Sequence, residues 1–510
     1  LPSAAAIAQA CLILGTVIVH VIGFGILLTR AAQFEEKDSC TIIATVGGAG
    51  LTALGFYLLL LGYFSAWNDI TWCISSSAFF LLSIRLLSSH KWAAISTFQV
   101  LEWRKNTKLD LVFMTFAVAT VCVSLVSCLR PTVMSDESDY HWPAPVLWAS
   151  VHHWSPSPYR FMNGPALIEL LYIPGALFNN LTAAHATHFL TWLVLIASCC
   201  ALGRLLKSAT LPVLVAVMAC PVITVQSSTA MNDLGTTALV LSSVAILFAR
   251  SCKTNLKQIA LSSFVLCGAL SSKPPVALAV VPIMLAYVVF GFENNTAKER
   301  IRRVAVFFLP LILIGICWLT HTYSLIGKLV DIPIDAIWSH GNHSTDAVLS
   351  YSGSNLGMAS PPSINKVLVL ILTPFVTCIL GNQEPWGNRT GFVIPLFFPL
   401  FLIALKRFGK ELKSLGWWLV ALSGSYFIGV GLFVIRTRYN MVVWAIWSAL
   451  AGVGFYYFYE SLGGKKKWAL ALVFTLLVGV GCIDSCRTLL MWDAHPKHHI
   501  MPKILWFLGK

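Results

Sequence analysis

The chain has 510 residues, 57% of them hydrophobic and only 11% charged. Soluble domains carry about 25% charged residues, so this balance excludes an ordinary soluble protein and indicates a polytopic membrane protein. The net charge of +14 does not indicate nucleic acid, because the basic residues gather in short segments between apolar runs, the positive-inside pattern that sets topology.

A span needs about 20 apolar residues. In chain order the runs predict spans near 4–29, 41–63, 70–88, 111–128, 186–206, 209–227, 232–250, 256–272, 274–291, 303–322, 391–405, 417–435, 441–460 and 468–484. The first run is too long for a signal h-region and lacks a basic leader, so it is expected to be retained. Loop 89–110 carries Lys91, Arg104, Lys105 and Lys108, and loop 292–303 carries Lys298, Arg300, Arg302 and Arg303. Loop 406–416 holds Lys406, Arg407, Lys410 and Lys413, and Lys465 to Lys467 follow. These four clusters are expected on the cytoplasmic side, which places both termini and loop 129–185 outside. Ala166–Phe178 is apolar but short and contains Glu169, Pro174 and Gly175. It is expected to lie in the interface or to re-enter without crossing, and Val367–Leu380 poses the same problem. Cysteines such as Cys11, Cys199, Cys200 and Cys317 fall within apolar runs and read as packing thiols.

The polar stretch from Arg130 to Pro143 stands out in this setting. It holds Asp136, Glu137 and Asp139, followed by Tyr140 and His141. Charge fixed beside a membrane is costly unless binding or chemistry uses it. One carboxylate can take a proton from a nucleophile, and two can share a divalent cation; the plain alternative is a solvated acidic turn capping a helix that begins near Pro143. His141, His152 and His153 are candidate metal ligands beside Asp136 and Asp139, although no HExxH or CxxC spacing occurs. Trp148, Trp154 and Tyr159 read as interface anchors, and their faces also suit sugar rings. His495, His498 and His499 read as a solvated tail segment. The long outer stretch Ile334–Pro362 is of a length that loops reach when they cover or select a ligand.

The string Asp136-x-x-x-Tyr140-His141-x-Pro143 resembles a signature of integral-membrane glycosyltransferases of the C superfamily, in the branch of protein-O-mannosyltransferase-like and aminoarabinose-transferase-like bacterial enzymes (family 39/83 type). These commonly carry Asp-x-x-x-Tyr-His-Leu-Pro; Trp142 stands here for the Leu. Further segments follow in the family's order: Asn163-Gly-Pro-Ala-Leu-Ile-Glu-Leu, Ser228-Thr-Ala-Met-Asn-Asp233, Ser272-Lys273-Pro274, Glu384-x-x-Gly-Asn388 and Arg436-x-Arg-Tyr439. The apolar runs give an all-α fold of about 14 transmembrane helices; the resemblance covers roughly residues 111 to 460, leaves the three spans before residue 90 without a counterpart, and implies a glycosyltransferase C-type core with interfacial helices in the first large outer loop.

On that reading, 1–110 holds additional N-terminal transmembrane helices and 111–460 is the catalytic core, with outer loops 129–185 and 323–390; 461–510 is a last span and outward tail. The resemblance implies transfer of a sugar from a polyprenyl-phosphate donor to a glycan, lipid or protein acceptor, with inversion, at the periplasmic face of the inner membrane. Asp136 would be the general base, with Asp139 and Glu137 as further acids. Lys273, Arg436, Arg438, Tyr439, His141 and Tyr140 would meet the donor phosphate, and Asn232, Asp233, Glu384 and Asn388 the sugar or acceptor. Snorkelling to the interface is the plain reading of the three cations. A divalent cation, Mg or Mn, held by Asp136, Asp139 and His141 is the one cofactor these residues suggest. A transporter or flippase, or a polymerase of lipid-linked glycans, would share the hydropathy; a transporter usually shows paired repeats with broken helices and midplane charges.

Overall fold

The computed structural model describes residues 2–34, 36, 38–88, 108–131, 136–157, 162–249, 256–292, 296–329, 390–431 and 440–491. Every regular element among them is helical. The helices are α1 (Ala4–Ala31), α2 (Ser39–Tyr63), α3 (Asp69–Ser88), α4 (Lys108–Ser127), α5 (Pro143–Val151), α6 (Leu167–Leu170), α7 (Ile173–Leu177), α8 (Leu181–Leu205) and α9 (Thr210–Met218). After them come α10 (Pro221–Val225), α11 (Asp233–Phe248), α12 (Leu256–Leu270), α13 (Val276–Phe290), α14 (Ala297–Ile326), α15 (Val393–Ala404), α16 (Lys410–Gly431), α17 (Met441–Ser461) and α18 (Gly464–Met491).

Eight of the described helices are long and apolar enough to cross a bilayer, and the bent pair α9–α10 makes a ninth. α11, α12 and residues 279–290 are apolar but shorter. The run 209–227 is therefore not the straight span expected: it turns by 74° between α9 and the segment starting at Pro221. Proline lacks an N–H and collides with the carbonyl four residues back, so a helix breaks at that point.

Side-chain caps set several helix starts. Ser3 Oγ accepts from Ala6 N (3.2 Å), Asp38 Oδ2 from Thr41 N (2.8 Å), Asn180 Oδ1 from Ala183 N (3.0 Å) and Thr296 Oγ1 from Glu299 N (3.2 Å). Each satisfies an N–H that has no partner within its own helix.

α2 sits at the centre and packs on α1, α8, α11 and α12. Close approach of α2 to α11 needs a residue without a side chain at Gly48, where a Cβ would come within 2.5 Å of Ser242 Cβ. Small residues at such crossings are how helices in lipid gain contact. Ala166–Phe178 forms two single turns, α6 and α7, and does not cross. It is not spread on a surface either: Leu167, Ile168, Glu169, Leu170, Leu171 and Tyr172 are all fully buried. Gly235 on α11 admits this corner, since a Cβ there would lie 2.7 Å from Ile168 Cδ1. Val367–Leu380, Ile334–Pro362 and the tail histidines lie outside the described residues.

The described residues of the basic clusters share one end of the bundle. Asp110, Arg204, Lys207, Tyr459 and Glu460 line a single cleft there. Lys467 Nζ pairs with Glu460 (3.8 Å), and Arg407 stands over the Phe458 ring. Arg303 stands over Phe292, which packs on Tyr287, and Tyr287 in turn packs on Trp418 near the start of α16. α8 connects this end to the other: at 1.5 Å per residue, His185 lies about 28 Å along its axis from Arg204.

Candidate active site

The acid stretch folds as one π-helical turn, Glu137–His141, with Asp136 as its first flanking residue. The turn has two sides. Glu137 and His141 face inward and are buried, whereas Asp136, Asp139 and Tyr140 are half-buried. Tyr140 packs its ring on His141, with centroids 4.3 Å apart. α5 follows directly, with Pro143 in its first turn, where a missing N–H costs nothing.

Each inward side chain has a fixed partner. Glu137 Oε1 accepts from His185 Nε2 at 2.6 Å and from the backbone N–H of Ala230 at 2.6 Å. His185 Nδ1 donates to the Cys128 carbonyl at 3.2 Å, so one imidazole ties the end of α4 to the acid turn. His141 Nδ1 donates to Glu169 Oε1 at 2.7 Å. Glu169, on α6, is fully buried. Charged and polar groups persist at such depth only when paired.

The segment Ser228–Asp233 joins the same network. Tyr172 donates its hydroxyl proton to the Met231 carbonyl (2.5 Å) and accepts from His188 Nδ1 (2.7 Å). A phenol has one proton, and a carbonyl can only accept, which assigns the His188 proton to Nδ1. Burial, and next the carboxylates of Glu169 and Glu137, push the Tyr172 hydroxyl well above the ordinary tyrosine range, so it stays a donor.

Lys273 pairs with Asp233. Asn232 Nδ2 donates to the Ser272 carbonyl (3.4 Å), and the Leu167 N–H donates to the Ser271 carbonyl (2.9 Å). Residues 137–141, 167–172, 185–188, 230–233 and 271–273 are thus one hydrogen-bonded unit at the end of the bundle away from the basic clusters.

Of the residues singled out in the sequence, Asp136, Glu137, Asp139, Tyr140, His141, Asn232, Asp233 and Lys273 belong to this unit or flank it. Glu384, Asn388, Arg436, Arg438, Tyr439 and Tyr159 lie outside the described residues. Trp148 and Trp154 depart from expectation: both are buried against Trp67 rather than set at the interface. Their indole N–H groups donate to the Ser155 and Leu59 carbonyls, at 3.0 and 3.3 Å, which makes burial tolerable. His152 Nδ1 bonds the Trp67 carbonyl (2.5 Å) and His153 Nδ1 that of Val151 (2.6 Å).

Among the described residues no three His, Cys, Asp or Glu side chains come together as a metal site. Glu137 is directed to His185, and His141, one of the three expected ligands, turns its Nδ1 to Glu169.

Sequence reasoning missed His185, His188 and Tyr172, and noted Glu169 in an apolar run and within the Asn163–Leu170 motif without giving it a role. The signal was present: two histidines three residues apart opening a span, and one carboxylate in a short apolar stretch. Ionisable residues in such runs mark sites by default.

No protein-family model and no curated protein matches this chain. Solved structures do resemble it. The Archaeoglobus fulgidus oligosaccharyltransferase in the apo form superposes with a TM-score of 0.50 at 14% identity, over 80% of this chain and 60% of that one. ArnT from Cupriavidus metallidurans bound to undecaprenyl phosphate gives a TM-score of 0.49 at 13% identity, over 78% of this chain and 72% of that one. The apo form of the same ArnT gives 0.48 at 13%, over 71% and 61%. The chain spans about three fifths of the oligosaccharyltransferase's length. At these identities the likeness concerns architecture, and it rests on the first of the three. The described helices share the all-helical architecture of that oligosaccharyltransferase.

Proposed function

We propose that this chain is an integral-membrane glycosyltransferase that moves a sugar from a polyprenyl-phosphate carrier to an acceptor hydroxyl or amine, with inversion, at the outer (periplasmic) face of a bacterial inner membrane. The observation that carries the reading is the convergence of motif segments. The acid turn, the 167–172 corner, Ala230–Asp233 and Ser271–Lys273 are hydrogen-bonded into one unit. That unit sits at the end of the bundle opposite the basic clusters, which the positive-inside pattern assigns to the cytoplasm.

The chemistry follows from the residue types. The acceptor oxygen or nitrogen attacks the anomeric carbon from one face, its proton passes to the Asp136 carboxylate, and the bond from that carbon to the lipid phosphate oxygen breaks on the other face. Such a displacement needs a base and a cationic clamp held in line. An ammonium has three donors; Asp233 orients that of Lys273, and Arg436, Arg438, Tyr439 and His141 complete the phosphate clamp in this reading. Asp139 stands by as a second acid, and Asn232, Glu384 and Asn388 meet sugar or acceptor hydroxyls.

The test uses the purified full chain in lipid nanodiscs with a panel of labelled polyprenyl-phosphate sugars and soluble and lipid acceptors. Transfer from one donor is expected. Asp136→Asn should lower it by about 10²–10⁴-fold, the range of a lost general base, while the donor still binds. Undiminished transfer by Asp136→Asn removes the base assignment, and no transfer from any donor removes the enzyme reading.

A further inference from the structure

The acid turn has one carboxylate that does not face outward. Glu137 is fully buried, adjoins Asp136, and receives two short hydrogen bonds on a single oxygen. Its partners come from near the start of α8 and from the loop before α11, and His185 spends its other ring nitrogen on the Cys128 carbonyl, where α4 ends. We infer that Glu137 and His185 are positioning residues: together with the Ala230 N–H they form a latch that fixes the π-helical turn, and through it the direction in which the neighbouring Asp136 presents its carboxylate.

The inference rests on the reading of Asp136 as the base. Three features support it. Asp136 directly precedes the π-helical turn and makes no side-chain cap bond to it, so its backbone placement follows that of the turn. The turn is closed by the Trp142 N–H donating to the Glu137 carbonyl (3.0 Å), so the backbone bond and the side-chain latch meet at one residue. Most tellingly, the latch joins α4, α8 and the 230–233 loop, elements distant in sequence. A displacement in any of them would therefore be transmitted to residue 136. A reacting group misplaced by 1 Å costs about 10²-fold in rate.

The experiment compares His185→Leu, His185→Gln and the double variant Glu137→Leu/His185→Leu in nanodiscs, with the donor found active above. His185→Leu is expected to lower kcat by about 10²-fold with little change in donor KM. His185→Gln keeps N–H donors for both oxygens and should recover most of that rate. The double variant removes the acid and the imidazole together, so neither is left buried and unpaired, although the Ala230 N–H and the Cys128 carbonyl lose their partners; it should unfold at a higher temperature than His185→Leu and stay slow. Hydrogen exchange at the Ala230 amide should quicken in both slow variants, a reading of the latch that is independent of turnover. A double variant of parental rate overturns the inference, as does a His185→Leu loss that merely tracks its loss of stability. If His185→Leu does not fold, the double variant carries the test. Should Asp136→Asn transfer at the parental rate, the base reading fails, while exchange at Ala230 still reports whether the latch exists.

Discussion

Replacing Tyr172 by Phe removes one oxygen and strands two buried groups. The Met231 carbonyl loses its donor at 2.5 Å and His188 Nδ1 loses its acceptor at 2.7 Å, in a corner with no access to water. Each stranded group costs about 1–3 kcal/mol, so the variant should lose about 2–6 kcal/mol in total. The loss has a functional side, because Met231 leads into Asn232 and Asp233, and Asp233 orients Lys273. Denaturant titration in mixed micelles, followed by tryptophan fluorescence, measures the stability. Adding His188→Leu to Tyr172→Phe removes one of the stranded groups and should return about 1–3 kcal/mol. A Tyr172→Phe protein within about 0.5 kcal/mol of the parent, the scatter of inconsequential surface changes, would refute the hydrogen-bond reasoning.

Other expectations follow from the same contacts. Lys273→Met leaves Asp233 buried without its cation and should cost about 3 kcal/mol, the lower end for a broken buried pair, since Lys273 keeps some solvent; Asp233→Asn in the same chain should recover much of it in the same titration. Gly235→Val drives a side chain into Ile168 and should destabilise by about 1–3 kcal/mol, lowering transfer because α6 carries Glu169; a parental melting curve would count against the close contact. The raised Tyr172 hydroxyl predicts an alkaline decline. The fold retains a proton that the unfolded chain releases above about pH 10, so this contribution is whole below that pH and lost as pH climbs toward the higher folded value. Stability against pH for Tyr172→Phe should lack that part of the decline.

Much of the architecture is legible in the sequence because hydrocarbon thickness sets helix length. Runs 4–29, 41–63, 70–88 and 441–460 match α1, α2, α3 and α17 within a few residues. The bend between α9 and α10 was announced by Pro221, but average hydropathy over 209–227 hides a single breaker. The segments of the site were legible as a resemblance; their pairing was not. Glu137 meets His185 across 48 residues of chain and Ala230 across 93, and no local pattern fixes which acid finds which histidine. The burial of Trp148 and Trp154 escaped for the same reason: an indole serves equally at a lipid interface or in a core, and the carbonyls at Ser155 and Leu59 decide.

The central place of α2 bears on how the protein is made. α2 leaves the ribosome long before α8, α11 and α12, the helices it finally touches. It must therefore wait in the bilayer beside α1 with its glycine-rich face toward lipid, and the interior assembles only after several later segments have been inserted. Biogenesis of this chain should then be limited by lateral association of helices already in the membrane, and a crowded or thickened bilayer should slow maturation without altering insertion.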